Sequence, residues 1–465
     1  MTVQFALTQV ADAIREKTRE TGPMGLASMP EKIRSIAEPQ PCKAVNFWDC
    51  DGTCLASYTL EQAAALSELP PLPHQPDLVC QGWNWTLSEI KALNRPVEVG
   101  AIYGTQNNRT RLFLRTDAAL RREVPLYLGQ SVDRGVTVHW GDGSPGETLE
   151  GTGDLTISHV YETLGEYVIE LETAEKCVLS LGHGSAATAL VGGAMPGYRN
   201  MLKKAQIGQG VSAIGAYAFA YCCDLREITL PASVAELGAN TFLGCYAMPH
   251  INLPHGVEEL DLALFTRCYS LKRLSLPPSI LRVKNNVFYY CYGLERVTLP
   301  DGTVELGNYA FSTCIALGEL SLPHRMENVG SSAFYGCVSL KRVTLPTGIT
   351  SLASNLFYTS YSLAELEIPD TVTSLAGNAC NGCQALSQLY IPARVTSIGG
   401  SAFSGCLFMK EYHFAAKTPP VLAKSNAFDG IPADCTIYVP AGCLEAYQTA
   451  ANWSVYANQM AESPQ

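Results

Sequence analysis

Cysteine is the residue type in this sequence whose number and spacing most invite chemistry, because thiols can bind metals or form disulfides. Seventeen cysteines occur in 465 residues. Eight of them follow a 23-residue period, in which Ser360 takes one step: Cys222, Cys245, Cys268, Cys291, Cys314, Cys337, Cys383 and Cys406. A disulfide framework needs pairs, whereas this ladder places one cysteine on each repeat, which predicts small buried side chains with a structural role. Cys380 and Cys383 have the local spacing of a zinc ligand pair, but no second pair follows at a suitable distance, so no metal site is predicted.

Two carboxylates separated by one residue occur at Asp49 and Asp51, in a string that ends in Gly52-Thr53. The string resembles the nucleophile motif of haloacid-dehalogenase enzymes, in which the first Asp attacks phosphorus and both carboxylates hold magnesium. That chemistry needs a downstream Lys and an acidic pair on a large doubly wound domain, and too few residues follow before a different domain begins. The sequence favours the alternative, a β-hairpin that turns at Asp51-Gly52. Since no other catalytic constellation is visible, we predict a protein that is not an enzyme, with no catalytic residue and no cofactor.

The composition excludes several classes of protein. Hydrophobic residues make up 47% of the chain and charged residues 16%, so a large core is available and global disorder is excluded. The net charge of −11 argues against nucleic-acid binding, which needs a basic surface. No apolar run approaches the roughly 18 residues of a membrane span, so no membrane insertion is predicted. The first residues lack a basic segment followed by an apolar one, so no signal peptide is predicted.

A 23-residue repeat organises the C-terminal half of the chain. Phenylalanine marks its core position, with Cys380 in one step: Phe219, Phe242, Phe265, Phe288, Phe311, Phe334, Phe357 and Phe403. Within each repeat, a segment such as Leu225–Pro231 alternates apolar and polar residues, which is typical of a half-buried strand, and proline ends it. One coil of this kind cannot bury its own apolar face. The array is therefore predicted to stack as a β-solenoid.

The repeats resemble the bacterial leucine-rich repeats of the BspA type, through their period and an Ala-Phe-x-x-Cys core such as Ala218–Cys222. The resemblance implies a leucine-rich-repeat solenoid over residues 199–425. It also implies a C-terminal cap over residues 426–465, where a strand and an amphipathic helix would cover the last coil. Solenoids of this kind bind many classes of partner, so the resemblance implies binding without naming a target.

Short alternating segments before the solenoid predict a β-sandwich over residues 109–175. The Trp-Gly-Asp-Gly-Ser string that begins at Trp140 and the His-Val-Tyr string at His159 resemble the polycystic-kidney-disease (PKD) type of immunoglobulin-like domain. That resemblance implies a structural corner at Trp140 and no reactive site. Residues 176–198, rich in Gly, Ala and Ser, are predicted to form a linker into the solenoid.

The N-terminal part is predicted to hold a helical segment over residues 1–38 and a small α+β module over residues 42–98. The strings Ala11–Thr18 and Met29–Ile36 resemble a short segment that opens many tail-associated proteins of phages infecting Gram-positive bacteria. The resemblance implies a docking role for residues 1–38. An ordinary pair of surface helices is the alternative.

Two surfaces of the predicted solenoid could recognise a partner. One is the outward side of the strands, where Arg273, Arg296 and Arg342 would form a basic patch. The other consists of tyrosine rows on successive coils, which stack about 4.8 Å apart. The candidate tyrosines are Tyr246, Tyr269, Tyr292 and Tyr361 in one row, with Tyr335 and Tyr358 in another. Each surface has a non-binding alternative, since charged strand faces are commonly only solvated and a tyrosine rim can shield a core.

These observations predict a multidomain, mainly β, non-enzymatic binding or adhesion protein. The segment at residues 1–38 favours a phage or prophage tail-associated protein, made in the bacterial cytoplasm and located in the virion tail. Its solenoid would recognise a protein or glycan of a bacterial cell surface, while residues 1–38 would contact other tail or baseplate proteins. The alternative is a bacterial cell-surface adhesin of the BspA type, which the repeats resemble equally well.

Overall fold

The computed structural model describes residues 44–116, 122–192 and 199–463. It shows a mainly β protein with few helices and a β-solenoid of about 11 turns in the C-terminal region, which confirms the architecture predicted from the repeat. The chain divides into two compact units. The first unit comprises Cys42–Gly302, and the second unit includes Thr303–Gln465. The helical segment predicted over residues 1–38 lies outside the described residues.

A small α+β module begins the first unit. Its elements are β1 (Ala44–Trp48), β2 (Cys54–Thr59), α1 (Leu60–Ala64), β3 (Leu78–Trp83), α2 (Leu87–Lys91) and β4 (Glu98–Thr105). The sheet order is β2-β1-β4-β3, with β1 parallel to β4 and the other pairs antiparallel. Thr59 and Thr86 begin the two helices with capping boxes, which satisfy backbone N–H groups of the first turn. The module continues past the predicted boundary at residue 98, because every residue of β4 is buried.

Two antiparallel sheets follow the module. Their strands are β5 (Thr110–Arg115), β6 (Glu123–Gln130), β7 (Val136–His139), β8 (Glu147–Thr148), β9 (Gly153–Val160), β10 (Glu166–Thr173) and β11 (Leu179–Leu181). One sheet contains the order β5-β10-β7-β8, and the other has the order β11-β6-β9. Trp140 is fully buried, and the Tyr161 hydroxyl donates a hydrogen bond to the Trp140 carbonyl at 2.8 Å. Trp140 therefore lies in the core, as a structural residue would.

Residues 176–192 are folded against these sheets, so the linker predicted over 176–198 is wrong for its described part. Strand β11 pairs antiparallel with β6, and a short 3-10 helix follows at Ala186–Thr188. Leu179, Leu181 and Leu190 are fully buried. These leucines have the spacing of a short buried strand and a following anchor, a signal that the surrounding Gly, Ala and Ser residues obscured.

The first strand of the solenoid, β12 (Leu202–Gln206), extends one of the two antiparallel sheets. It pairs antiparallel with β5 on one side and parallel with β14 (Glu227–Thr229) on the other. The solenoid therefore begins as a continuation of a folded sheet, and its first coil does not present an open edge there.

Each coil of the solenoid contributes up to two short parallel strands. The first series comprises β12, β14, β16 (His250–Asn252), β18 (Arg273–Ser275), β21 (Glu319–Ser321), β23 (Arg342–Thr344), β25 (Glu365–Leu366), β27 (Gln388–Ile391) and β29 (Glu411–Phe414). The second series comprises β13 (Ala213–Ile214), β15 (Glu236–Leu237), β17 (Glu259–Leu260), β19 (Arg282–Val283), β20 (Glu305–Leu306), β22 (Asn328–Val329), β24 (Ser351–Leu352), β26 (Ser374–Leu375), β28 (Ser397–Ile398) and β30 (Val421–Leu422). Paired residues are 23 positions apart through most of both series, as Glu319 with Arg342 shows.

The repeat phenylalanines stack along the inside of the coils. In the first unit, Phe242 lies between Phe219 and Phe265, with ring centroids 5.7 and 5.5 Å apart and nearly parallel planes. In the second unit, Phe334 lies between Phe311 and Phe357 at 5.8 and 5.6 Å. All of these rings are fully buried, so the period of the sequence is the period of the core.

Residues after the last repeat cover the end of the second unit. They form β31 (Thr436–Val439), α3 (Leu444–Thr449), a 3-10 helix (Ser454–Gln459) and β32 (Met460–Glu462). Strands β31 and β32 continue the sheet of β27 and β29. Trp453 is fully buried, and its Nε1 donates to the Pro420 carbonyl at 2.7 Å. No helix among the described residues is long and apolar enough to cross a membrane.

Candidate binding faces of the solenoid

The first series of strands presents side chains outward at fixed positions of every coil. In β16, β18 and β23 the middle residue, Ile251, Leu274 or Val343, is buried in the core. The two side chains that flank it point the other way, because successive residues of a strand alternate between faces. We call the surface made by these flanking side chains the strand face, and describe it in each unit separately.

In the first unit the α+β module covers the strand face. His250 Nε2 donates to the Cys50 carbonyl at 2.6 Å, and Asn252 Nδ2 donates to the Ala101 carbonyl at 3.2 Å. Arg273 Nη2 donates to the Gly52 carbonyl at 2.5 Å, and its guanidinium lies 3.5 Å from the centre of the Trp48 ring. The strand face therefore supplies donors and a cation, and the module supplies carbonyl oxygens and an aromatic ring.

The module also inserts polar side chains between neighbouring coils. Asn84 Nδ2 donates to the Leu253 carbonyl at 3.0 Å and to Ser275 Oγ at 2.9 Å, and Trp85 Nε1 donates to the Leu276 carbonyl at 2.9 Å. Both side chains are almost fully buried. Buried donors with partners on the solenoid make this contact a specific interface, since each would cost free energy if it lost its partner.

Gly100 explains how closely β4 approaches the coils. A Cβ atom at this position would lie 2.5 Å from Cγ of Asn252, which is closer than carbon atoms can approach. The glycine therefore allows the Asn252 side chain to reach the backbone of the module. Glycine inside an apolar strand is a sequence signal for such a close approach, and it lies just beyond the predicted boundary at residue 98.

The carboxylates at Asp49 and Asp51 are part of the hairpin that joins β1 and β2, so the hairpin prediction is confirmed. Asp49 is buried and accepts hydrogen bonds from the Tyr103 hydroxyl at 2.5 Å and from Gln75 Nε2 at 2.6 Å. Asp51 accepts one from the Thr53 backbone N–H at 2.8 Å. The Asp49 carboxylate therefore makes structural contacts within the module.

The three arginines of the predicted basic patch differ in their surroundings. Arg273 lies under the module, where burial lowers the pKa of its guanidinium. Arg296 is half-buried, and Thr298 on the same coil donates to the Pro96 carbonyl of the module at 3.2 Å. Arg342 in the second unit is exposed and pairs with Glu365 at 2.5 Å, a contact that raises the pKa of Arg342. Arg273 and Arg342 therefore already have partners within the chain.

The second unit leaves its strand face uncovered by any described residue. An open groove of about 1110 Å³ runs over β23, β25 and β27. Its lining side chains include Arg342, Glu365, Glu367, Tyr390 and His413. Tyr390 is 56% exposed, which is unusual for so large a side chain.

Aromatic rings continue the groove beyond Tyr390. The parallel register places Tyr390 beside His413 and His413 beside Tyr438 on successive strands. The rings of His413 and Tyr438 stack with centroids 5.0 Å apart, and His413 Nε2 lies 3.0 Å from a Glu411 carboxylate oxygen. Glu367, Tyr390 and His413 were not predicted as binding residues, although the 23-residue register that places the arginines on the outward side of the strands also places these three there.

The predicted tyrosine rows are present as stacked rings. The ring centroid of Tyr269 lies 4.7 Å from that of Tyr246 and 4.9 Å from that of Tyr292. The ring centroids of Tyr335 and Tyr358 are 5.0 Å apart, and all of these ring planes are nearly parallel. Burial raises the pKa of Tyr246, Tyr269, Tyr292 and Tyr361, because it disfavours the charged phenolate. A role of the rows in binding stays a prediction.

The ladder cysteines are buried and free of disulfides. Cys245 Sγ donates to the Phe219 carbonyl at 3.2 Å, and Cys268 Sγ donates to the Phe242 carbonyl at 3.2 Å, each bond spanning 26 residues. Ser360 makes the same contact through Oγ at 2.8 Å. The ladder position therefore holds a small side chain that also donates a hydrogen bond, and Ser360 is the sequence signal for this second property. Among the described residues, no group of three or more His, Cys, Asp or Glu could hold a metal ion.

One family model matches the repeat region of this chain. The family model described as "BspA type Leucine rich repeat region" matches residues 198–318 and 281–410, in six copies. Comparison with curated proteins found no match.

Three solved structures illustrate the similarity. A leucine-rich repeat protein from Bacteroides ovatus is 21% identical over 66% of this chain and 90% of its own, with a TM-score of 0.39. The pneumococcal vaccine antigen PcpA is 23% identical over 55% and 65%, with a TM-score of 0.40. A leucine-rich cell surface protein from Faecalibacterium prausnitzii is 20% identical over 53% and 84%, with a TM-score of 0.28.

The match to the family model supports a binding or adhesion role. The coils between residues 198 and 410 match the model of BspA-type leucine-rich repeats.

Proposed function

We propose that this protein is a non-enzymatic binding protein that recognises its partner through the strand face of the second unit. The observation that carries the proposal is the covered strand face of the first unit, where His250, Asn252 and Arg273 hold a folded module. The same strand register is repeated in the second unit, with the exposed Tyr390 on an open groove. The first unit thus gives one example of this strand face in contact with folded protein, and the second unit presents the equivalent face with side chains of its own.

The biological setting that we favour is a phage or prophage tail. In that setting the protein is located in the virion tail, residues 1–38 attach it to other tail or baseplate proteins, and the solenoid contacts a protein or glycan of the host surface. The alternative is a BspA-type adhesin located on the bacterial cell surface. The family match supports the alternative equally, because it concerns the repeats alone.

We also assign the two sheets of residues 110–181 to the PKD type of immunoglobulin-like domain. The support is the environment of Trp140, whose ring stacks on His159 with centroids 4.9 Å apart. His159 Nε2 in turn lies 2.7 Å from Asp142 Oδ2, which orders the loop after Trp140. In this assignment the domain is a structural support and carries no reactive site.

Binding of the fluorescently labelled full chain to bacterial cells tests the proposal. Tyr390→Ala should reduce the bound fraction severalfold, because it removes the exposed ring of the groove. Tyr309→Ala is the matched control, since Tyr309 is 43% exposed in the same unit but lies outside the strand face. Equal binding by both variants and the parent chain would contradict the assignment of the face.

A second pair of changes separates the strand face from the tyrosine rows. Loss of cell binding in Tyr335→Ser with Tyr358→Ser, but not in Tyr390→Ala, would move the site to the rows. Mass spectrometry of purified phage particles and surface labelling of intact cells then distinguish the tail setting from the adhesin setting.

A further inference from the structure

Equivalent positions of the second-unit strands form two columns on the strand face. One column has aromatic and polar members, and the other has mainly charged members. By the 23-residue period the first column is Thr344, Glu367, Tyr390 and His413, to which strand pairing adds Tyr438, and the second is Glu319, Arg342, Glu365, Gln388 and Glu411. Strand pairing aligns Glu319, Arg342 and Glu365 in one sheet, and Tyr390, His413 and Tyr438 in another. Coils stack about 4.8 Å apart, so side chains of neighbouring members can contact the same ligand group.

Carboxylates dominate the charge of this face. The groove lining includes three carboxylates, Glu365, Glu367 and Asp370. The Arg342 guanidinium also lines the groove, but it is already paired with Glu365 at 2.5 Å. Glu367 and Asp370 are exposed. The face therefore offers hydrogen-bond acceptors and negative charge, and its neighbouring rings at Tyr390 and His413 offer aromatic faces.

The covered face of the first unit shows the same contact chemistry with the roles reversed. There the strand face supplies a guanidinium, Arg273, and the bound module supplies the Trp48 ring at 3.5 Å and the Gly52 carbonyl. In the second unit the strand face supplies the rings and the anionic acceptors. A complementary partner must then supply the cation and the donors.

We infer that the strand face of the second unit binds a cationic protein segment, with a Lys or Arg side chain over Tyr390 and its charge beside Glu367 and Asp370. This inference deepens the proposed function and rests on it. An Arg or Lys side chain could contact the Tyr390 ring and the nearby carboxylates at the same time. These two side chains therefore suit the strand face best. A neutral glycan would stack on the ring of Tyr390 and could donate hydroxyl hydrogen bonds to the carboxylates, but it would carry no positive charge to complement theirs.

Fluorescence anisotropy of the full chain with a labelled decapeptide of alternating Lys and Gly tests the inference. We expect Glu367→Gln with Asp370→Asn to weaken peptide binding at least about fivefold, the loss of two favourable charge contacts near a ring. Glu162→Gln with Glu175→Gln is the matched control, because it removes the same charge from exposed positions outside the solenoid. The control should bind the peptide within about twofold of the parent chain, and circular dichroism should show that both variants are folded.

The outcomes separate the inference from the proposed function. Equal weakening by both double variants would overturn the inference, since the peptide would then sense only the net charge. A second outcome would also overturn the inference: bacterial cell binding that falls in Tyr390→Ala, does not fall in Glu367→Gln with Asp370→Asn, and resists salt. That outcome would favour a neutral glycan, and the proposed function would stand. Cell binding that is unchanged in Tyr390→Ala would overturn both.

Discussion

The two units use the same strand register to present different surfaces, and the difference shows which part of a repeat carries specificity. Both units have a core of stacked phenylalanine rings, with centroids 5.5 to 5.8 Å apart. The outward residues differ: Arg273 and Asn252 hold a module in the first unit, whereas Glu365 and Tyr390 line an open groove in the second. The repeat thus fixes the core and leaves the face free to vary.

The largest expected effect is shared by both units and concerns alkaline pH. Burial raises the pKa of seven ladder thiols, to about 12 for Cys222 in the first unit and Cys337 in the second; the other five are Cys245, Cys268, Cys291, Cys383 and Cys406. A pKa raised by folding means that the protonated thiol favours the folded state, so stability is complete below the unfolded pKa and falls as pH rises above it.

Between pH 9 and 12 the unfolded thiols lose protons that the folded ones keep. At pH 10 each fully buried ladder thiol should lower the free energy of unfolding by about 1.4 kcal/mol, several kcal/mol in total. Urea denaturation at pH 7 and pH 10 measures the effect. A midpoint that does not fall would show that these thiols are already ionised, oxidised or exposed.

The next effect compares the cores directly. Phe242→Ala and Phe334→Ala each remove a ring that lies between two others, and each should lower the free energy of unfolding by about 3–5 kcal/mol. Chemical denaturation followed by circular dichroism measures both. Similar values support a common core; a near-silent change in one unit would mean that its coils are packed differently.

A matched pair of arginines tests the difference between the faces. Arg273→Ala removes the contacts with Gly52 and Trp48 and should cost about 1–3 kcal/mol. Arg342→Ala removes an exposed ion pair and should cost less than about 1 kcal/mol. The denaturation midpoints of the two variants, compared with that of the parent chain, measure these two costs. Equal costs would contradict the distinction between a covered and an open face.

The smallest effect concerns the one step of the ladder that is not cysteine. Ser360→Cys should change the free energy of unfolding by less than about 1 kcal/mol, because a thiol can also donate to the Phe334 carbonyl. Ser360→Ala removes one of two donors to the Phe334 carbonyl, which keeps the Cys337 backbone N–H, and should cost about 0.5–1.5 kcal/mol. If Ser360→Ala were tolerated as well as Ser360→Cys, the ladder position would require only a small side chain and not a hydrogen-bond donor.

The core could be predicted from the sequence because its buried positions recur at a fixed local spacing. Phe242 and Cys245 recur with a fixed period, and their buried positions follow from that period alone. The covered face could not be predicted in the same way: Asn84 and Ser275 are 191 residues apart, and the module has no repeat register. The open groove was partly predictable, since the column of Tyr390 and His413 follows from the repeat, but its charge balance depends on which arginines find partners.

The pairing of β12 with β5 has a consequence for the order in which the chain folds. Residues Thr110–Arg115 leave the ribosome well before Leu202–Gln206, so the sheet can form first and present a paired edge to the first coil. Coils can then add one at a time, each needing only the neighbour already in place. The sheet thereby acts as a template for folding from the N-terminal side, and a chain that lacked it would have to nucleate a coil without a partner.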